Sequence, residues 1–200
     1  QSLWNSSADP QARYSRQVLT AYAAARLPAS GEMNEQAADL IASMLTAGLD
    51  RNAMRWAETV EAGSQAWALL VLAAPTRSAP VTESMISSFV SDDESTKQRK
   101  SAFLVAGLAG LGRIDDGTMA SLSNELELDL DRKSRWSNLI SLAAARDRVA
   151  LVALLAGLGM QGTSWEKMPP RYLYHIVSAL RQVGMEAEAR MIAAEAVARA

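Results

Sequence analysis

Gly110-Leu111-Gly112-Arg113 stands where one apolar run of helical period stops and another begins. The same kind of hinge recurs at Ala47-Gly48-Leu49, Gly157-Leu158-Gly159-Met160 and Val183-Gly184-Met185. A glycine just past a helix takes the left-handed backbone conformation that closes the last turn. Hinges of this kind between apolar runs of period about 3.6 predict a succession of helix-turn-helix units. Their connections are short, so consecutive helices run roughly antiparallel. The expected fold class is all-α, with antiparallel helix pairs stacked as an α-solenoid; a compact multi-helix bundle is the competing arrangement.

The punctuation outward from these hinges marks about ten or eleven helices. Asp9 and Pro10 open the first, a cap followed by proline at the first helical position, and Tyr14, Val18, Tyr22 and Ala25 share one of its faces. The second places Ala37, Leu40, Ile41, Met44 and Leu45 on a stripe. A third, over 51–62, turns Met54, Ala57 and Val60 inward with Trp56 on its flank. Ser64 caps a fourth whose run Trp67 to Leu72 is apolar almost all round, as expected of a central helix. Thr82 and Glu83 open the next, and Asp92-Asp93-Glu94 place negative charge at the amino end of the one after it. Asp115 and Asp116 cap a shorter helix. Thr163 and Glu166 have capping-box spacing ahead of Pro169-Pro170, which begin a helix to Val183, and Glu186 to Ala200 closes the chain. Leu70 and Leu154 are expected in the core.

In one place the period changes to two: Glu125-Leu126-Glu127-Leu128-Asp129-Leu130-Asp131. Such alternation ordinarily marks a strand. With no second strand to pair with, it is expected to be an extended connector, the alternative being a helix whose leucines spiral inward.

Composition bounds the function. The chain has 200 residues, 49% of them hydrophobic and 21% charged, which suits one globular helical-repeat domain over 1–200. A net charge of −2 supplies no global field toward nucleic acid or acidic lipid. The chain lacks cysteine, which removes disulfides, thiolate nucleophiles and cysteine-ligated zinc. Its longest apolar stretches fall short of the roughly 20 residues of a membrane span. Gln1 in place of methionine suggests a processed product or a piece of a longer protein, and the preponderance of arginine over lysine suggests a bacterial source. The expected setting is a bacterial cytoplasm or periplasm.

Motifs with chemical potential each have a plainer reading. Gly157-Leu158-Gly159-Met160-Gln161-Gly162 matches a dinucleotide-binding pattern, but that chemistry needs a helix to begin within the glycines, and Pro169-Pro170 interrupt soon after. The expectation is a helix-terminating turn, with no cofactor. His175 is the single histidine, without the nucleophile and carboxylate of a triad or the companions of a metal site, so it is expected on an ordinary packed helix. The acids of 125–131 read as a solvated edge rather than a glycosidase pair. Lys97-Gln98-Arg99-Lys100 and Arg132-Lys133-Ser134-Arg135 each adjoin an acidic run, so local neutralisation is expected in place of nucleic-acid binding. Of the tryptophans, Trp56, Trp67 and Trp136 read as core. Trp165, beside Met168 and within reach of Tyr172, is the candidate partner-binding site, because its short turn offers little helix to bury it.

Ile176, Leu180, Gly184, Ala189, Ala193 and Ala196 resemble a tetratricopeptide-type repeat, in which a glycine turn precedes small residues where two helices cross closely. Leu40, Ile41, Met44, Gly48, Ala53, Ala57 and Val60 are similar. The resemblance covers about a third of the chain and implies a groove that binds protein. The leading expectation is therefore a non-catalytic helical-repeat module that mediates protein–protein interaction or scaffolding. The alternative is a helical accessory region of a larger enzyme, resembling the alanine-rich superhelical segments of cell-wall lytic transglycosylases.

Overall fold

The computed structural model describes residues 10–75, 80–162 and 164–200. Among them are eleven α-helices and no strand. These are α1 Pro10–Ala24, α2 Asn34–Thr46, α3 Asp50–Ala53, α4 Gln65–Ala73, α5 Glu83–Ser91 and α6 Arg99–Gly110 in the first half. The second half supplies α7 Asp116–Glu125, α8 Arg135–Ala145, α9 Val149–Gly159, α10 Pro170–Gln182 and α11 Glu186–Arg199. None is long and apolar enough to cross a membrane. Asp9 and Thr163, expected as caps, lie outside the described residues.

Local chemistry explains most of the boundaries. Gly48, Gly112 and Gly184 all have left-handed backbone angles, with φ of 72°, 63° and 81°. After each, the next amide reaches back to a carbonyl of the finished helix: Leu49 to Met44 at 2.9 Å, Arg113 to Leu108 at 2.8 Å and Met185 to Leu180 at 2.9 Å. This is the Schellman closure, which satisfies carbonyls that the helix leaves unpaired. Two further hinges use the same bonds without glycine, at Glu127 and Asp147, each with φ of 53°. The fourth glycine hinge behaves differently from its sequence reading. Gly157 and Gly159 lie inside α9, and a Cβ at Gly159 would meet Trp136 Cζ2 at 2.6 Å, so that glycine makes room for a ring. At the amino ends, Ser64, Thr82 and Asp115 accept the amides of Trp67, Met85 and Thr118, as expected of caps. Ser134 and Ser137 add a reciprocal capping box on α8.

The core is built around α4 and α6, whose apolar residues are buried almost all round. α10 and α11 pack on α6 at close range. A Cβ at Gly107 would sit 2.9 Å from Leu72 and 3.1 Å from Ala193, and one at Gly110 would sit 2.9 Å from Val177. α11 touches α2, α4, α6 and α10, so the end of the chain returns among elements of its first half. Its alanines Ala189, Ala193 and Ala196 are fully buried, and their small size permits that approach.

Arginines complete the exposed carbonyl ends of the central helices. Arg113 donates to Val71 and Ala74, and Arg190 to Ala73, all at the carboxyl end of α4. Arg190 also lies 3.7 Å from Asp50. Arg181 donates to the Gly110 carbonyl of α6 at 3.1 Å. Cations at a helix carboxyl end favour the dipole as well as filling the unpaired acceptors.

Several faces differ from their sequence reading. On α1 the residues turned to α2 are Ala21 and Ala24, with Thr20 3.2 Å from the buried Ser43, whose hydroxyl donates to the Gln17 carbonyl. Small and polar groups let the two helices approach, and Val18, Leu19 and Tyr22 are left outside. The third helix is four residues long and runs into a 3₁₀ turn at Met54–Trp56, which points Trp56 into the core and leaves Ala57 exposed. Leu154, expected inside with Leu70, is 70% exposed while Leu70 is buried. Of the stretch 125–131, Glu125 ends α7 and 126–131 is irregular, with Leu130 buried and all four acids exposed.

Candidate interaction surface

α8 and α9 form an antiparallel hairpin joined by Arg146-Asp147-Arg148. Its pairing is fixed by Trp136, which donates to the Leu155 carbonyl at 3.1 Å and fills the space at Gly159. On α9 the buried residues are Val152, Leu155 and Ala156, a spacing of three and four that faces α8 and α10. The rest of this helix is apolar too. Its eleven residues contain no polar side chain, so the solvent face consists of Val149, Ala150, Leu151, Ala153, Leu154, Gly157 and Leu158. Leu139 and Leu142 are exposed on α8 beside it. The six large side chains, 39–70% exposed, together present on the order of 500 Å² of apolar area, a size ordinary for the largest patch of a monomer and often functional.

The residues proposed from sequence as a partner site share a different hollow, of about 560 Å³. Trp165, Met168 and Tyr172 line it with Met160, Glu195 and Arg199. Each also has a packing role. Trp165 sets its ring edge-on to Phe103 at 6.2 Å, and Tyr172 stacks on Trp136 at 4.8 Å. Met168 is 8% exposed, and its carbonyl accepts from Arg99 at 3.1 Å. The structure thus brings the three together while leaving only the two aromatic rings half-exposed.

The remaining candidates have structural environments. Gly157 and Gly159 end a helix, the reverse of the arrangement in which helix amides meet a pyrophosphate. His175 is 8% exposed on α10. Burial lowers its pKa below the ordinary 6.5, against the opposing pull of a hydrogen bond that the imidazole donates to the Arg132 backbone carbonyl and of the charge of Asp131. Among the described residues no three His, Asp or Glu side chains converge as metal ligands. At the amino end of α6, Asp93 accepts from the amide and hydroxyl of Ser101 at 2.8 and 2.6 Å and from the Ser95 amide at 2.8 Å. Burial pushes this carboxyl up, and those hydrogen bonds outweigh it and hold it below its ordinary value. The 97–100 cluster is divided: Arg99 turns inward over Phe103, and Lys100 donates to Gln65. In the 132–135 cluster Arg132, Lys133 and Arg135 are exposed and adjoin the exposed Asp129 and Asp131, with no ion pair between them among the described residues.

No protein-family model, curated protein or solved structure matches the chain.

The exposed face of α9 could not be read from the sequence, because an all-apolar helix carries no pattern that says which side is covered. The one signal the sequence holds is composition: a helix with no polar residue.

Proposed function

We propose that this chain is a non-catalytic helical module whose work is to bind a protein, and that the α8–α9 face is where it does so. The observation that carries this reading is the uncovered side of α9: a helix apolar on all sides belongs in an interior, and here more than half of its circumference meets solvent. Recognition by a partner supplies the missing cover. A compact bundle is favoured over a solenoid, since in a sequential solenoid each unit touches only its neighbours whereas α11 packs against α2, α4 and α6.

The test is site-specific photocrosslinking in the cells that make the protein. A benzophenone residue at Leu154 should yield one discrete protein adduct, and the same residue at the exposed Glu188 of α11 should not. Leu154→Asp should retain the helical spectrum and cooperative unfolding, because that side chain is outside the core. Equal adducts at both positions, or none at Leu154, would remove the reading.

A further inference from the structure

Among the described residues nine large hydrophobic side chains are exposed, and six of them share the α8–α9 face: Leu139 and Leu142 on α8, Val149, Leu151, Leu154 and Leu158 on α9. A strip of small residues runs between those of α9. Ala150, Ala153 and Gly157 are exposed there, and a Cβ at Gly157 would meet nothing within 4 Å. No side chain of α9 can donate or accept a hydrogen bond. A polar group pressed against it would lose water and gain no partner, so whatever covers the face must be as apolar as the face itself. The five basic and five acidic residues of 125–160 cancel, so net charge opposes no particular partner.

Resting on the protein-binding reading above, we infer that the partner is a second copy of this chain, paired through the α8–α9 face with the two α9 helices antiparallel about a twofold axis. Two observations carry this. The first is relief. With the axis between residues 153 and 154, Leu154 of each copy faces Ala153 of the other, Leu158 faces Val149 and Gly157 faces Ala150. Large side chains then meet small ones at the centre of the contact, twice over by symmetry. Parallel pairing sets each residue against itself, Leu154 on Leu154 and Gly157 on Gly157, which leaves the small positions opposite each other and unfilled.

The second observation is area. The six large side chains present on the order of 500 Å² of apolar surface. Homodimer interfaces are about 65% apolar, so this face corresponds to about 770 Å² per copy, close to the roughly 800 Å² per partner of a standard stable interface. The other exposed apolar stripe, Val18, Leu19 and Tyr22 on α1, is the poorer seat. It offers half as many side chains, and joining it to the α8–α9 face pairs unlike surfaces, leaving one of each uncovered on the complex. The twofold pairing uses the same face on both copies and closes.

In sedimentation equilibrium the purified chain should approach twice its mass of 21.5 kDa at about 100 μM, since interfaces of this size bind at micromolar concentrations or below. Leu154→Asp should keep its helical circular dichroism and stay monomeric, and Leu19→Asp should dimerise as the parent does. Because the chain has no cysteine, introduced thiols test the same contact without a charge in the helix. Under mild oxidation Ala153→Cys should give a disulfide-linked dimer. Val149→Cys alone should not, because the antiparallel helices hold its two copies about 13.5 Å apart along the axis, beyond the roughly 7 Å between Cα atoms that a disulfide spans. Val149→Cys mixed with Leu158→Cys should link. A monomer at about 100 μM, or a dimer undiminished by Leu154→Asp, overturns the second copy, and linkage of Val149→Cys alone overturns the antiparallel pairing. The protein-binding reading fails separately. A Leu154 photoadduct that contains another protein, from a chain monomeric when purified, overturns only the second copy. A monomer that gives no protein adduct overturns both, whether or not it floats with phosphatidylglycerol vesicles.

Discussion

Replacing Gly110 and Gly157 separately by alanine asks whether close helix packing or helix propensity decides stability. Both glycines lie in helices, where alanine is favoured by up to about 1 kcal/mol because glycine loses more backbone freedom on folding. At Gly157 nothing lies within 4 Å of the new methyl, so that gain should appear nearly whole, as stabilisation by about 0.5–1 kcal/mol. At Gly110 the methyl would lie 2.9 Å from both Cβ and Cγ1 of Val177 and 3.0 Å from the Tyr174 carbonyl. Neither neighbour is the far end of a flexible chain. A β-branched stem and a helix backbone must both shift, and overpacking of this kind costs about 1–3 kcal/mol, more than propensity returns. Gly110→Ala should therefore be destabilised by about 1–2 kcal/mol net, and the two variants should move in opposite directions. Urea unfolding followed by circular dichroism measures both, and for a chain of this size each kcal/mol corresponds to about 2–4 °C in melting temperature. Stabilisation of Gly110→Ala equal to that of Gly157→Ala would show that α6 and α10 are not in the contact described.

Two further outcomes follow from buried polar groups. Arg190→Met removes the donor to Ala73 and the ion partner of Asp50; unfolding free energy should fall by about 1–3 kcal/mol, and by less for Asp50→Asn, whose site is more open. A neutral Arg190→Met would mean that other groups satisfy the end of α4. His175 is held below its ordinary pKa of 6.5, so as pH falls through that value the unfolded chain takes up a proton that the folded imidazole resists. Stability should be flat in this respect above about pH 7 and decline toward about pH 5, and His175→Asn should reduce the decline measured by urea unfolding. An unchanged slope in the variant would place the titration elsewhere.

The positions of the helices were legible because the signals that set them are local. Ser64, Thr82 and Asp115 cap with their own hydroxyl or carboxylate, and Gly48, Gly112 and Gly184 close their helices with bonds five residues long. Where a hinge lacks glycine, as at Glu127 and Asp147, no residue type marks the same geometry in the sequence. Trp165, Met168 and Tyr172 are close in sequence and line one hollow. Their rings, however, are partly engaged by Phe103 and Trp136, which approach from other helices.

The amino-acid order alone determined an all-helical chain, because period and capping depend on residues within a turn or two of one another. Which faces are covered was decided only by assembly. α1 buries its alanines against Ser43 and leaves Leu19 outside, and α9, apolar on every side, has an inner face only because α8 and α10 cover it. The carbonyl end of α4 is completed by Arg190 from 117 residues away, and no local pattern encodes a contact at that separation.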